Sequence, residues 1–141
     1  MYEMFEIIKK ILLLIGLWYF AWKDYRTYYI GVRGAVFVGI SGIVIKILME
    51  RNVMVMLEIG MSMLIGVGLI ILALISKESI GIGDGILFFV SGCYLNIWEN
   101  IILFWRTVFL IGGFAFICLA IKKKERIPMA PFMLTAYMTT L

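Results

Sequence analysis

The only two aspartates of the chain, Asp24 and Asp84, each stand where a long apolar run meets a polar turn. An ionisable group at the edge of a membrane segment is costly to hold there and so marks a candidate functional site. If both face the same compartment, they can form an acid/base pair. Each also has a structural reading. Asp24, in Trp22-Lys23-Asp24-Tyr25-Arg26, suits an interfacial belt of aromatic rings and hydrated charges. Asp84, in Gly81-Ile82-Gly83-Asp84-Gly85, suits a helix N-cap, its carboxylate accepting from exposed backbone N–H groups. Gly81 and Gly83 add a chemical argument, because residues without a side chain let a second backbone come close to the carboxylate. The chain has no histidine, which removes Ser-His-Asp and Cys-His sites and any His-ligated metal. Carboxylate, Lys, Tyr, Ser and Cys remain, and nothing calls for a metal or cofactor.

The elements that carry these residues are membrane helices. Of the 141 residues, 64% are hydrophobic and 16% charged, and the mean hydropathy is +1.07. A soluble domain of this size leaves too much of its surface outside to be so apolar. The expected architecture is all-α, a polytopic bundle of about six transmembrane helices forming one domain over residues 1–141, with no separate soluble domain and no cleavable signal peptide. Six apolar segments run over about 6–22, 32–49, 53–75, 80–98, 100–121 and 127–141. The turn Glu50-Arg51-Asn52 is short enough to demand an antiparallel hairpin, and Pro128 suits the first turn of the last helix. Cys93 and Cys118 lie in apolar runs without CxxC spacing and read as small buried hydrophobes.

In serial spans, alternate loops share a side. The first, third and fifth loops hold Lys23, Arg26, Arg33, Lys77, Lys122, Lys123, Lys124 and Arg126, eight of the thirteen basic residues. That bias puts those loops, and with them both aspartates, in the cytoplasm, although Lys9 and Lys10 oppose it. The net charge of +4 is thereby assigned to lipid head groups and orientation, with the bilayer and no nucleic acid as partner.

Three separated segments resemble one family, the type IV prepilin peptidases, which are intramembrane aspartic proteases. Gly81-Ile82-Gly83-Asp84 looks like their GxGD signature. Asp24-Tyr25-Arg26-Thr27-Tyr28-Tyr29-Ile30 is similar to their first catalytic segment, and the two aspartates stand 60 residues apart with two spans between. Glu125-Arg126-Ile127-Pro128-Met129-Ala130-Pro131-Phe132 resembles their final-span motif. The chain departs from the family where Gly31-Val32 follow Ile30 in place of Pro-Asn, and where Gly85-Ile86 follow Asp84 in place of Val-Lys. No paired CxxC motifs, which mark the cytoplasmic domain of the long members, occur in these 141 residues, so the resemblance implies a compact form.

The resemblance implies a membrane aspartic endopeptidase that removes the leader of a prepilin-like, single-span preprotein at the cytoplasmic edge of the plasma membrane. Asp24 and Asp84 would be catalytic, Gly81 and Gly83 the active-site backbone, and Pro128 and Pro131 the edge where substrate comes in. Peptide hydrolysis needs a base to activate water and an acid to protonate the leaving amine. An isolated Asp titrates near ~3.9, but two carboxylates sharing one proton supply both roles. Glu78 and Glu125 are candidates for receiving a basic leader, which Lys122-Lys123-Lys124 would repel. Two other classes stay open. An ion-coupled transporter needs mid-span acids, whereas Lys46, Glu58, Asn96 and Arg106 form no evident relay. A non-catalytic scaffold subunit of a pilus or secretion complex would tolerate loss of either aspartate.

Overall fold

Every described element of the computed structural model, which covers residues 1–27, 29–77, 81–121 and 127–141, is a helix. In order these are α1 (Tyr2–Thr27), α2 (Val32–Met49), α3 (Val53–Ile75), α4 (Ile82–Tyr94), α5 (Ile97–Ala120) and α6 (Met129–Met138). The protein is an all-α membrane bundle. Helices α2, α3 and α5, with 18, 23 and 24 residues, are long and apolar enough to cross a bilayer, since ~20 residues span its hydrocarbon core. Helix α1 is longer still, at 26 residues, but carries Glu3, Glu6, Lys9 and Lys10 near its start and Lys23, Asp24 and Arg26 near its finish.

Two segments expected to span do so less fully than their hydropathy suggests. The 80–98 segment yields an α4 of 13 residues and the 127–141 segment an α6 of 10, about 20 Å and 15 Å at ~1.5 Å per residue. For α4 the cause is a break at Leu95 and Asn96, both in extended conformation. There the Glu99 carboxylate accepts from the Asn96 N–H at 3.1 Å, which starts α5. Shortness suits the position of α4, because it touches all five other helices and buries Leu87, Phe88, Val90, Cys93 and Tyr94. It is the axle of the bundle, not a wall facing lipid.

Close packing of α4 on α3 depends on glycine. A Cβ at Gly66 would collide with the backbone of Phe89, one at Gly85 would stand 2.8 Å from Ile70 N, and one at Gly92 would stand 2.8 Å from Ser62 O. Small residues that let backbones approach are the ordinary device for holding helices together in lipid. Polar bolts complete the job. Ser91 Oγ donates to Asn100 Oδ1 at 2.7 Å and Asn100 Nδ2 donates to Ser62 O at 2.9 Å, tying α4, α5 and α3 together. Tyr94 Oη lies 2.6 Å from Ser41 Oγ and donates to Val38 O at 2.7 Å, over a Gly42 that leaves room for its ring. Although α2 and α3 are joined by the short Glu50–Asn52 turn, they make little contact with each other, because α4 lies between them.

Candidate active site

Asp24 lies inside α1, which continues to Thr27, more than one helical turn beyond the apolar run that ends near Trp22. Its flanks Trp22, Tyr25 and Arg26 are exposed, whereas Asp24 is 7% exposed. It is therefore no hydrated member of an interfacial belt. Its Oδ2 accepts a hydrogen bond from the Ala130 N–H at 3.0 Å. The local cause is legible in α6. The N-cap of that helix is Pro128, which has no side-chain acceptor, so the orphan N–H groups of the first turn must be satisfied from elsewhere. Asp24 reaches across from α1 and does so, a negative charge at a helix N-terminus.

Asp84 stands in the first turn of α4 and is not its cap, a place taken by Gly81. The Asp84 N–H donates to Gly81 O at 3.1 Å, and the carboxylate folds back over the same glycine. A Cβ on Gly81 would lie 3.3 Å from Asp84 Oδ2. A Cβ on Gly83 would lie 3.1 Å from Cδ1 of Ile30, a buried side chain six residues beyond Asp24. The two glycines thus make room for groups of the chain itself: Gly81 for the Asp84 carboxylate, Gly83 for Ile30.

These contacts bring the C-terminal turn of α1 and the N-terminal turns of α4 and α6 to one end of the bundle, where α1 packs on both α4 and α6. Pro128 is the N-cap of α6, one position before the first helical turn where it was expected, and Pro131 falls within that turn. Glu78, Glu125 and the run Lys122-Lys123-Lys124 lie outside the described residues. Among the described residues no group of three or more His, Cys, Asp or Glu could hold a metal.

Two participants were not evident as such in the sequence. Ala130 stood out only as a small residue between prolines, whereas its contribution is a backbone N–H that any residue but proline could supply. Lys46, an isolated charge in an apolar run, is 1% exposed, and its Nζ donates to Leu95 O at 3.0 Å. It closes the C-terminus of α4, the opposite end of that helix from Asp84. Arg106 reaches Thr139 Oγ1 at 3.2 Å, so neither cation takes part in a mid-bundle relay with the other.

Compared with models of protein families, with curated proteins and with solved structures, the chain matches none.

Proposed function

We propose that this protein is a membrane aspartic endopeptidase of the prepilin-peptidase kind, cutting the leader from single-span precursors at the cytoplasmic edge of the plasma membrane. One arrangement carries the reading: three segments distant in sequence, around Asp24, Asp84 and Ala130, converge at one end of the bundle. Those are the same three segments in which the sequence resembles that family. The buried Asp24 carboxylate and the Asp84 carboxylate at the head of the central helix would share a proton, one activating water and the other protonating the departing amine. The pair would titrate as a unit, so the two roles belong to the dyad and not to either residue. The substrate's apolar helix would lie in the bilayer, with its scissile bond at the level of the dyad.

The test is co-expression with single-span precursors from the same genome, reading leader removal as a gel shift. Asp24→Asn and Asp84→Asn should each abolish processing, and the double variant should be little worse than either, because the two act together. Asn can still accept from the Ala130 N–H, so Asp24→Asn retains the tie between α1 and α6 while removing the ionisable group. Processing that survives both single changes would transfer the protein to the scaffold class, in which Asp24 serves only to cap α6.

A further inference from the structure

The polar edges of the bundle lie closer together on one face than on the other. On α1 the stretch without charge between Lys10 and Lys23 is residues 11–22, about 18 Å at ~1.5 Å per residue. Ile11, Ile15, Trp18, Tyr19 and Trp22 are exposed along it, so α1 turns this stretch outward. Helix α6, packed against α1, has a similar reach. Its 10 residues, about 15 Å, run from the Ala130 N–H held by Asp24 to the vicinity of Thr139, whose hydroxyl accepts from the exposed Arg106 of α5 at 3.2 Å. This face therefore has Lys23, Asp24 and Arg26 at one rim and Lys10 and Arg106 at the other. The opposite face is α3, which touches neither α1 nor α6. Even beyond its one charge, Glu58, its apolar residues 59–75 cover about 26 Å.

The hydrocarbon core of a bilayer is about 30 Å thick, so the α1–α6 face falls short by about 12 Å. Snorkelling closes little of that gap. Lys23 and Arg26 stand 5.9 Å and 5.3 Å from the ring centroids of Tyr19 and Trp22, one turn back toward the apolar stretch, and Arg106 is engaged by Thr139. Lys10 alone, leaning toward the N-terminus as helical side chains do, is placed to lengthen the stretch. Aromatic rings favour head-group level, and on α1 they begin at Trp18, five residues before Lys23.

We infer that the bilayer is thinned beside α1 and α6, its hydrocarbon drawn in to about 18 Å there, while it stays close to its ordinary depth against α3. Lipid meets an apolar stretch shorter than itself in this way. The inference needs only a membrane bundle and is independent of peptide cleavage. Asp24 lies at a rim of the thinned face, so the head groups and water of the two leaflets approach each other most closely on the side of the bundle that holds that carboxylate.

Nitroxide labels test this. In the full chain carrying Cys93→Ala and Cys118→Ala, single cysteines are placed at Ile15→Cys and Trp18→Cys on α1 and at Gly68→Cys on α3, where an added Cβ meets open space. Each is spin-labelled and reconstituted in dioleoyl phosphatidylcholine vesicles, and collisions with oxygen and with a water-soluble nickel chelate give its depth. The expected depths are at most about 9 Å at both α1 positions and about 13 Å at position 68, half of each apolar length. In a bilayer of even thickness the two α1 labels could not both be shallow. Ile15 is about 12 Å from Lys23 and Trp18 about 12 Å from Lys10, so whichever rim met the head groups, one label would be that deep. A depth at either α1 position equal to that at 68 would overturn the inference. So would a label at 15 that meets the nickel chelate as freely as one on the exposed Lys77→Cys, which would make the face a water-filled cleft.

Discussion

Asp24 does two jobs that substitution can separate. As an acceptor for the Ala130 N–H it replaces the cap that Pro128 cannot provide, and as a carboxylate it can carry a proton. Asp24→Ala should therefore lower stability by about 1 kcal/mol, the usual effect of losing an N-terminal cap. Asp24→Asn should be close to neutral in thermal unfolding in detergent while being inactive. Equal destabilisation by Ala and Asn would mean that the charge, not the hydrogen bond, holds α6. Gly83 offers a sharper test of the site's internal fit. A methyl there would press on Ile30 Cδ1 at 3.1 Å, tight enough that the side chain must give way. Gly83→Ala should reduce processing, and adding Ile30→Val, which removes that terminal methyl, should restore much of it. If the double variant processes no better than Gly83→Ala alone, the contact with Ile30 is not what makes Gly83 necessary.

At the scale of the helix, α4 is matched to its own dipole at both ends. Asp84 lies in its first turn and the buried Lys46 donates to Leu95 O at its C-cap. Charges so placed contribute roughly 0.3–1 kcal/mol each at exposed sites and up to ~2 kcal/mol when partly buried. Lys46→Met should lower the unfolding midpoint of the detergent-solubilised protein without affecting the proposed processing; a loss of processing without a loss of stability would give Lys46 some other role. The glycines divide into two sets by their surroundings. Gly66→Ala, Gly85→Ala and Gly92→Ala each force a methyl against the backbone of the facing helix, where overpacking costs typically 1–3 kcal/mol or more. Gly60, Gly68, Gly112 and Gly113 have nothing within 4 Å of an added Cβ, and there alanine should be neutral or stabilising by up to ~1 kcal/mol through helix propensity. Thermal unfolding of the seven single variants would sort them, and a tolerated Gly85→Ala would contradict the α3–α4 packing described above. This division was invisible in the sequence, where all seven are alike: helical glycines differ only by which neighbour faces them, and that is a tertiary fact. The apolar runs, in contrast, located all six helices, because membrane burial writes itself into composition. What hydropathy missed was the ends. It stopped α1 near Trp22 because Lys23, Asp24 and Arg26 are charged, although a buried carboxylate with a backbone partner can remain helical. It carried α4 through Leu95 and Asn96 because an extended break at an apolar residue leaves no mark on hydropathy.

Across the whole molecule, the helices at the end that holds Asp24 and Asp84 finish in Lys23, Arg26 and Lys77 or begin at Arg33, while the other end mixes Glu3, Glu6, Glu50 and Glu99 with Lys9, Lys10, Lys46 and Arg51. Basic residues near short loops are retained on the cytoplasmic side, and the proposed cleavage of a leader still in the cytoplasm requires Asp24 and Asp84 to lie on that side, so the proposal makes orientation a test of itself. Single cysteines report it directly. The native Cys93 is buried and Cys118 partly so, and both can be replaced by alanine or serine to give a silent background. Lys77→Cys, at an exposed residue just beyond α3, should react with an impermeant maleimide only after the cells are opened. Arg51→Cys, exposed in the α2–α3 turn, should react in intact cells. The opposite pattern would set Asp24 and Asp84 on the outer face, away from any leader that has not crossed the membrane. That result would sink the leader-peptidase reading whatever the aspartate variants showed, since no arrangement of carboxylates can cleave a bond held on the far side of the bilayer.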